Sequence, residues 1–241
     1  MNRWQPVHFL LYIRMEDSMN STAKYPISDE DMKALLERYP FLRYRKLYDD
    51  ESDVYKTEQE NLDHNYYKEW DGTGWEDLWK NRYLKRLFAA YDSCNDEDIK
   101  KGFRFTDVKS KYGGMRIYVT YSIGDGLESK AETLSEWICE NCGAEPRDDQ
   151  GRREIWTTNG WIINMCRDCA LKYLKTQMGV TEAPLEESLS GMHHVPKGPF
   201  GYLRFSKEET ARVSYRETED GWLDDDKVEV YRKEKPNEND N

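Results

Sequence analysis

Four of the five cysteines of this chain stand in two matched pairs, Cys139-x2-Cys142 and Cys166-x2-Cys169, within the stretch CENCGAEPRDDQGRREIWTTNGWIINMCRDC. A two-residue gap lets one tight turn aim both sulfurs at a single point, and two such turns complete the tetrahedral sulfur shell that Zn2+ prefers. Gly143 follows the first pair and supplies the permissive backbone that a knuckle needs. Dithiol redox chemistry needs only one pair and usually a βαβ setting, which the flanking pattern lacks; an iron–sulfur cluster is the other competitor. Cys139, Cys142, Cys166 and Cys169 are therefore the candidate metal ligands and Zn2+ the cofactor. Four sulfurs close the shell and leave no position for an activated water, so the metal reads as a staple and no catalytic residue is assigned.

Between the pairs, REIWTTNGWIINM places two apolar-bearing arms around Asn159-Gly160, a strong signal for a two-residue hairpin turn. CALKYLKTQM then has helical spacing, which puts Cys166 and Cys169 at a helix N-terminus, where the dipole favours thiolates. Knuckle, hairpin and ligand-bearing helix is the order of a treble-clef module. A zinc ribbon, with its second knuckle on another hairpin, is the alternative.

The staple matters because core material is scarce: 37% of residues are hydrophobic and 34% charged, against a norm of about a quarter charged. Eight Trp and seventeen Tyr offset this in part, predicting aromatic clusters in place of one broad aliphatic core. Ser28 caps a helix in SDEDMKALLERYPFL that Pro40 ends. Trp75, Leu78, Trp79, Tyr83, Leu87 and Tyr91 recur at helical spacing. FRFTDVKSKYGGMRIYVTYS alternates and turns at Gly113-Gly114, a β-hairpin with positive φ in at least one glycine. Gly126 to Ile138 is helical again and runs directly into Cys139, so the metal site is built onto the domain. A Gly, Pro and His-containing connection follows Met178 as far as Phe200, and GYLRFS, ARVSYRET and KVEVYRK then read as short strands with an acidic turn at Asp220-Gly221. The expected architecture is α+β: helices packed on a β-hairpin, an embedded four-cysteine treble-clef-like zinc module and a small C-terminal β element. Its segments are an N-terminal arm at 1–24, the helix and hairpin core with an acidic insertion at 25–122, the zinc module at 123–180, the β extension at 181–233 and a disordered tail at 234–241.

The formal net charge of -11 opposes sequence-blind binding to nucleic acid. The charge is segmented, however, with ten basic against five acidic side chains from Lys80 to Arg116 and acidic runs at Asp49–Asp63 and Glu217–Asp226. No run approaches the roughly 18 apolar residues that span a bilayer, so no membrane partner is expected. VHFLLYI is interrupted by His8 and lacks a cleavage site, so no secretory signal is read there; paired thiols without one point to a reducing compartment, the cytoplasm. An HNH-type nuclease is the enzyme reading to weigh, because that class is built on treble clefs. It needs a histidine on the hairpin between the cysteine pairs, and none occurs; Asp63-His64-Asn65 and His193-His194 both lie outside.

LLERYPFL, GWEDLW, VKSKYGGMRIYV, KAETLSEWICENCG and WIINMCRDCALKYL, in that order, resemble the landmarks of a family of uncharacterised small proteins of tailed phages and prophages. The similarity runs from about Tyr39 to Leu174. It implies that Cys139, Cys142, Cys166 and Cys169 hold the metal, that Lys111, Tyr112, Gly113, Gly114 and Arg116 form a shared structural signature, and no assigned activity. The arm through Met19, the acidic insertion after Lys46 and the extension beyond Met178 depart from the pattern. The resulting expectation is a non-enzymatic zinc-binding interaction protein that blocks a host or defence-system protein or ribonucleoprotein, an anti-CRISPR type of inhibitor being one form. The alternative is a nucleic-acid-binding accessory factor using Lys80, Arg82, Lys85 and Arg86 with Lys100, Lys101, Arg104, Lys109, Lys111 and Arg116, and with Tyr112 and Tyr118 for stacking.

Overall fold

The structure is a computed structural model and describes residues 23–44, 57–149, 151–159, 162–182, 184–197, 200–204 and 209–232. The N-terminal arm as far as residue 22, the acidic run Asp49–Asp53, Gly160 of the expected Asn159-Gly160 turn and the tail from 233 lie outside these. The fold is α+β, with helices and three small antiparallel sheets.

Helix α1 (Asp29–Arg38) starts where Ser28 accepts the Asp31 N–H, carries three acids in its first turn and buries Met32 and Leu36. Pro40, which has no N–H to continue the helix, opens a short 3-10 turn (Pro40–Leu42) that buries Phe41 and Leu42. Helix α2 (Glu58–Asp63) lies in what the sequence suggests is an acidic connection. A reciprocal cap between Thr57 and Glu60 starts it, a signal independent of apolar spacing.

The helix expected from Trp75 to Tyr91 forms with a different period. Leu78–Leu84 is a π-helix that continues into α3 (Lys85–Ser93). The wider turn buries Lys80 and Leu84 beside Leu78, Trp79 and Tyr83, whereas Tyr91 is only half-buried. Burying Lys80 is tolerable because its ammonium lies 3.0 Å from Glu76 and 2.5 Å from Asp71. Glu76 also accepts the N–H groups of Lys24, Tyr25 and Gly72, which ties the start of the described chain to this helix. Around it the aromatic core assembles: Tyr39 stacks on Phe88 at 4.1 Å, Trp79 on Tyr83 at 5.0 Å, and Phe41 meets Phe103 edge-on at 5.0 Å.

After the short helix α4 (Glu97–Gly102), capped by Asp96, strands β1 (Phe105–Lys111) and β2 (Gly114–Val119) form the expected hairpin. Its turn is shifted by one residue. Lys111 pairs with Gly114, so the loop is Tyr112-Gly113, at φ 57° and 71°, both left-handed as a type I′ turn requires. Gly114 begins β2 instead, where a Cβ would come within 2.8 Å of the Arg116 guanidinium and 2.9 Å of Glu136. Helix α5 (Leu127–Ser135) covers β2: Ser135 Oγ accepts the Met115 N–H and Glu132 accepts that of Ile117, both at 2.7 Å.

Strands β3 (Arg153–Thr157) and β4 (Asn164–Met165) form the hairpin between the cysteine pairs, and α6 (Arg167–Thr176) follows. The predicted connection after Met178 is instead structured. Helix α7 (Leu185–Ser190) packs on α6, and β5 (His193–Lys197) adds to the free edge of β3, giving the sheet order β4-β3-β5. A short helix and a strand containing Pro196 carry weak local signals; the open edge of β3 selects the pairing. Strands β6 (Phe200–Arg204), β7 (Glu209–Glu217) and β8 (Leu223–Arg232) form the C-terminal sheet, with Gly221 at φ 72° in the acidic turn.

That sheet is anchored on the main core. Tyr215, Trp222 and Leu223 are buried with the α1 and α3 side chains, and Arg86 pairs with Asp220 while lying 4.6 Å over the Trp222 ring. Arg82 bridges Asp77, Glu145 and the Gly221 carbonyl, and Arg153 bridges Glu145 and Glu217. Burial works against the Glu145 carboxylate, but the Arg82 and Arg153 guanidiniums outweigh it and hold the group below the usual carboxylate range. A carboxylate whose folded pKa lies below its unfolded value of about 4.3 stabilises the fold above that value and loses this contribution as pH falls through the folded one. Glu145→Gln should therefore lower the urea midpoint near pH 7 and lose most of that deficit at about pH 2. An equal deficit at both pH values would show that the charge of Glu145 does not act on stability.

Candidate metal centre

The first knuckle is a tight turn closed by its own backbone. The Gly143 N–H reaches the Cys139 carbonyl and the Cys139 N–H the Ala144 carbonyl, each at 2.9 Å, with Gly143 at φ 77°. In the second, Cys166 is the N-cap residue of α6 and Cys169 lies in its first turn, so both sulfurs sit at the positive end of the helix. The ligand-bearing helix follows the β3-β4 hairpin, which is the treble-clef order and not that of a ribbon.

The four sulfurs come together. All lie within 4.8 Å of one another, and Cys142 Sγ is 3.7 Å from Cys166 Sγ. A zinc–sulfur distance of about 2.3 Å places the sulfurs of a tetrahedral shell about 3.8 Å apart, so this separation fits one edge of such a shell. Among the described residues this is the group of thiol, imidazole or carboxylate ligands that could hold an ion. Cys94 lies elsewhere, with its sulfur 3.7 Å from the Asp96 carbonyl.

Electrostatics favour a cation at the centre. Burial pushes the Cys139 thiol up to about 12, and burial together with the neighbouring sulfurs raises that of Cys169 as well. Burial also opposes ionisation of Cys142, but the Ala144 N–H and the surrounding thiols hold that group below its ordinary value. Four thiolates in this space repel one another, and a bound metal ion converts the repulsion into attraction while releasing their protons.

The knuckle is fixed by residues whose role the spacing of cysteines does not announce. Gly74, from the GWEDLW landmark, donates its N–H to the Glu140 carbonyl at 2.7 Å, and a Cβ on it would fall 2.0 Å from the Cys139 carbonyl oxygen. Trp75 Nε1 donates to the Ser135 carbonyl at 3.1 Å. Asn164, 1% exposed, accepts the Glu140 N–H on its backbone carbonyl at 2.9 Å, while its amide donates to the carbonyls of Gly113 and Glu136. The hairpin turn, the end of α5 and the first knuckle thus meet on one residue. Within the knuckle, burial raises the Glu140 carboxyl to about 7, opposed by the Ser110 hydroxyl at 3.2 Å. A signal for Gly74 existed in the sequence, a Gly-Trp pair heading a helix, but its partner is 66 positions away.

The described histidines stay outside the thiol cluster. His64 is exposed at the end of α2, and Asn65 is a buried cap for the turn that follows. His193 and His194 stand on β5 opposite Thr157 and Trp156, with His194 stacked on Trp156 at 4.5 Å and 3.3 Å from Glu154. The basic set divides. Lys80, Arg82, Arg86 and Arg116 are engaged with carboxylates of the chain itself, as is the exposed Lys109 with Asp107, whereas Lys85, Lys101 and Lys111 are exposed and make no ion pair among the described residues.

No protein-family model, curated protein or solved structure matches this chain. Among the described residues, no helix is long and apolar enough to cross a membrane.

Cys166→Ser should abolish metal retention and expose the β3-β4 hairpin to proteolysis, whereas Cys94→Ser should do neither; full metal content in Cys166→Ser, measured by elemental analysis after dialysis, would falsify the ligand assignment. Gly74→Ala probes the contact from the other side. Its methyl must displace the Cys139 carbonyl, so thermal stability should fall by roughly 2 kcal/mol or more and the metal should be lost to a chelator faster than from the wild type. An unchanged chelation rate together with an unchanged melting temperature would mean that the knuckle does not depend on this approach.

Proposed function

We propose that the chain is a non-enzymatic zinc-binding interaction protein of phage origin that binds and blocks a host or defence-system protein or ribonucleoprotein. The observation that carries the reading is the closed four-sulfur cluster, held by packing against the aromatic core through Gly74 and Asn164. Four thiolates suit Zn2+ and leave it no open position, so the ion supplies folding energy, an apparent 10–16 kcal/mol or so in small zinc modules, and no activated water. The landmarks shared with phage proteins support the origin, and the recruitment of most basic helix residues into internal ion pairs argues against the helix as the working surface.

A blocking protein must occupy its target in proportion to amount. Expressed in bacteria carrying individual defence systems, the chain should restore phage plaque formation against at least one, and Cys166→Ser should fail to do so. With that system purified, inhibition should saturate near one equivalent of target sites. Inhibition complete at strongly substoichiometric amounts and abolished by His64→Ala would replace this reading with the nuclease.

A further inference from the structure

Away from the thiol cluster, a pocket of about 230 Å3 opens where the 3-10 turn after α1, the last turn of α4 and the approach to β1 meet. Its wall carries Arg43, Lys100, Lys101 and Arg104 against a single carboxylate, Glu97, and Phe103 lies at its base. Three of these cations stand within five consecutive positions, Lys100 to Arg104, and the tertiary structure brings Arg43 to them against their mutual repulsion. Their engagement within the chain is slight. Lys100 lies 5.4 Å from the Tyr91 ring centre, Arg43 donates to the Leu36 carbonyl at 3.4 Å, and among the described residues neither Lys101 nor Arg104 makes an ion pair. This contrasts with Arg82, Arg86 and Arg153, each of which meets a carboxylate.

The chain just past the β1-β2 hairpin supplies a second element next to the pocket residues. The ring of Tyr121, half-exposed, lies so close to Gly102 that a Cβ there would sit 2.4 Å from it, and Gly102 stands between the pocket residues Lys101 and Phe103. The Thr120 hydroxyl donates to the Gly102 carbonyl at 2.6 Å and accepts the Arg104 N–H at 3.1 Å, which ties the segment that carries Tyr121 to the backbone that carries Lys101 and Arg104. Further along the same hairpin, Tyr118 and Tyr112 are exposed, with Lys109 and Lys111 within 5.2 and 5.1 Å of their respective ring centres. Tyr112 also holds a left-handed backbone, an expensive conformation for an exposed aromatic residue.

We propose that this pocket binds backbone phosphate of a single-stranded nucleic acid, with Arg43, Lys100, Lys101 and Arg104 taking the phosphate and Tyr121 stacking on an adjoining base. Guanidinium and ammonium groups supply charge-assisted hydrogen bonds to phosphate oxygens, and an aromatic face beside them accepts any base. A free small phosphate would use the same cations but has no use for the exposed tyrosines, which favours the strand. The site is independent of the thiol cluster and of the blocking reading: it predicts direct binding by the purified chain whatever the biological target.

The test is fluorescence anisotropy of the full zinc-loaded chain with a labelled oligothymidylate about fifteen nucleotides long, in about 50 and 200 mM salt. Saturable binding is expected, weakening with salt. Lys101→Ala/Arg104→Ala should weaken it about tenfold or more and flatten the salt slope by about 1.4, the equivalent of two phosphate contacts on a single strand. Tyr121→Ala should weaken it about fivefold or more and leave the slope unchanged. Lys175→Ala, on α6, should match the wild type. Should the double variant not fold, as judged by its thermal transition, exposed Lys101→Ala alone must still reduce affinity. No saturable binding at low salt, or equal affinity in the Lys101 variants, overturns the site. Inorganic pyrophosphate bound by the wild type and lost in Lys101→Ala, with no oligonucleotide binding, overturns the strand and leaves a pocket for small phosphates.

Discussion

The contact on which this structure turns is a close approach of two backbones. Gly74 brings its N–H to the Glu140 carbonyl, inside the first cysteine knuckle, at a distance that no side chain could share. Trp75, the next residue, is fully buried and bonds the carbonyl at the end of α5, the helix that delivers the chain to Cys139. The segment that begins the central helix and the segment that begins the metal centre therefore share one packing environment. In a chain with so few aliphatic residues this coupling matters, because the knuckle gives the aromatic core a wall and the core prevents the knuckle from opening.

A second constraint is charge kept within the fold. Glu76 gathers three backbone N–H groups and the Lys80 ammonium, while Glu145 and Glu217 link Arg82, Arg147 and Arg153 across the junction of core, knuckle and C-terminal sheet. Breaking one partner of such a buried group leaves the other desolvated and unpaired, which costs more than the intact pair contributes. The C-terminal strands are accordingly more than an appendage: Tyr215, Trp222 and Leu223 close the main core, and the acidic turn between β7 and β8 supplies Asp220 to Arg86.

This arrangement changes what the charge pattern means. The linear excess of basic residues from Lys80 to Arg116 suggests one positive face, yet the helical members are mostly neutralised internally and the exposed ones collect at the end of α4 and along the hairpin. Arg43, far outside that window, joins them through the turn after α1. The acidic run Glu217–Asp226 divides likewise, since Glu217, Asp220, Asp224 and Asp225 face cations of the chain.

The sequence by itself determined the features that depend on neighbours a few positions apart: the Ser28 cap, the two knuckles, the β1-β2 and β3-β4 hairpins, and the placement of Cys166 at a helix start. Each follows from turn geometry or periodicity within one segment. Where the local signal was too short or ambiguous, the reading slipped. The Tyr112-Gly113 turn was displaced by a residue because two glycines offer two turns and only the packing of Gly114 against Glu136 selects one. The π-helical period of Leu78–Leu84 goes with the burial of Lys80 among acids, and β5 with the open edge of β3, neither of which is marked by local spacing. Only the tertiary structure decided that Gly74 and Asn164 hold the knuckle and that Arg43 joins Lys100, Lys101 and Arg104 at the pocket. Those are contacts between residues tens of positions apart, and no local propensity encodes them.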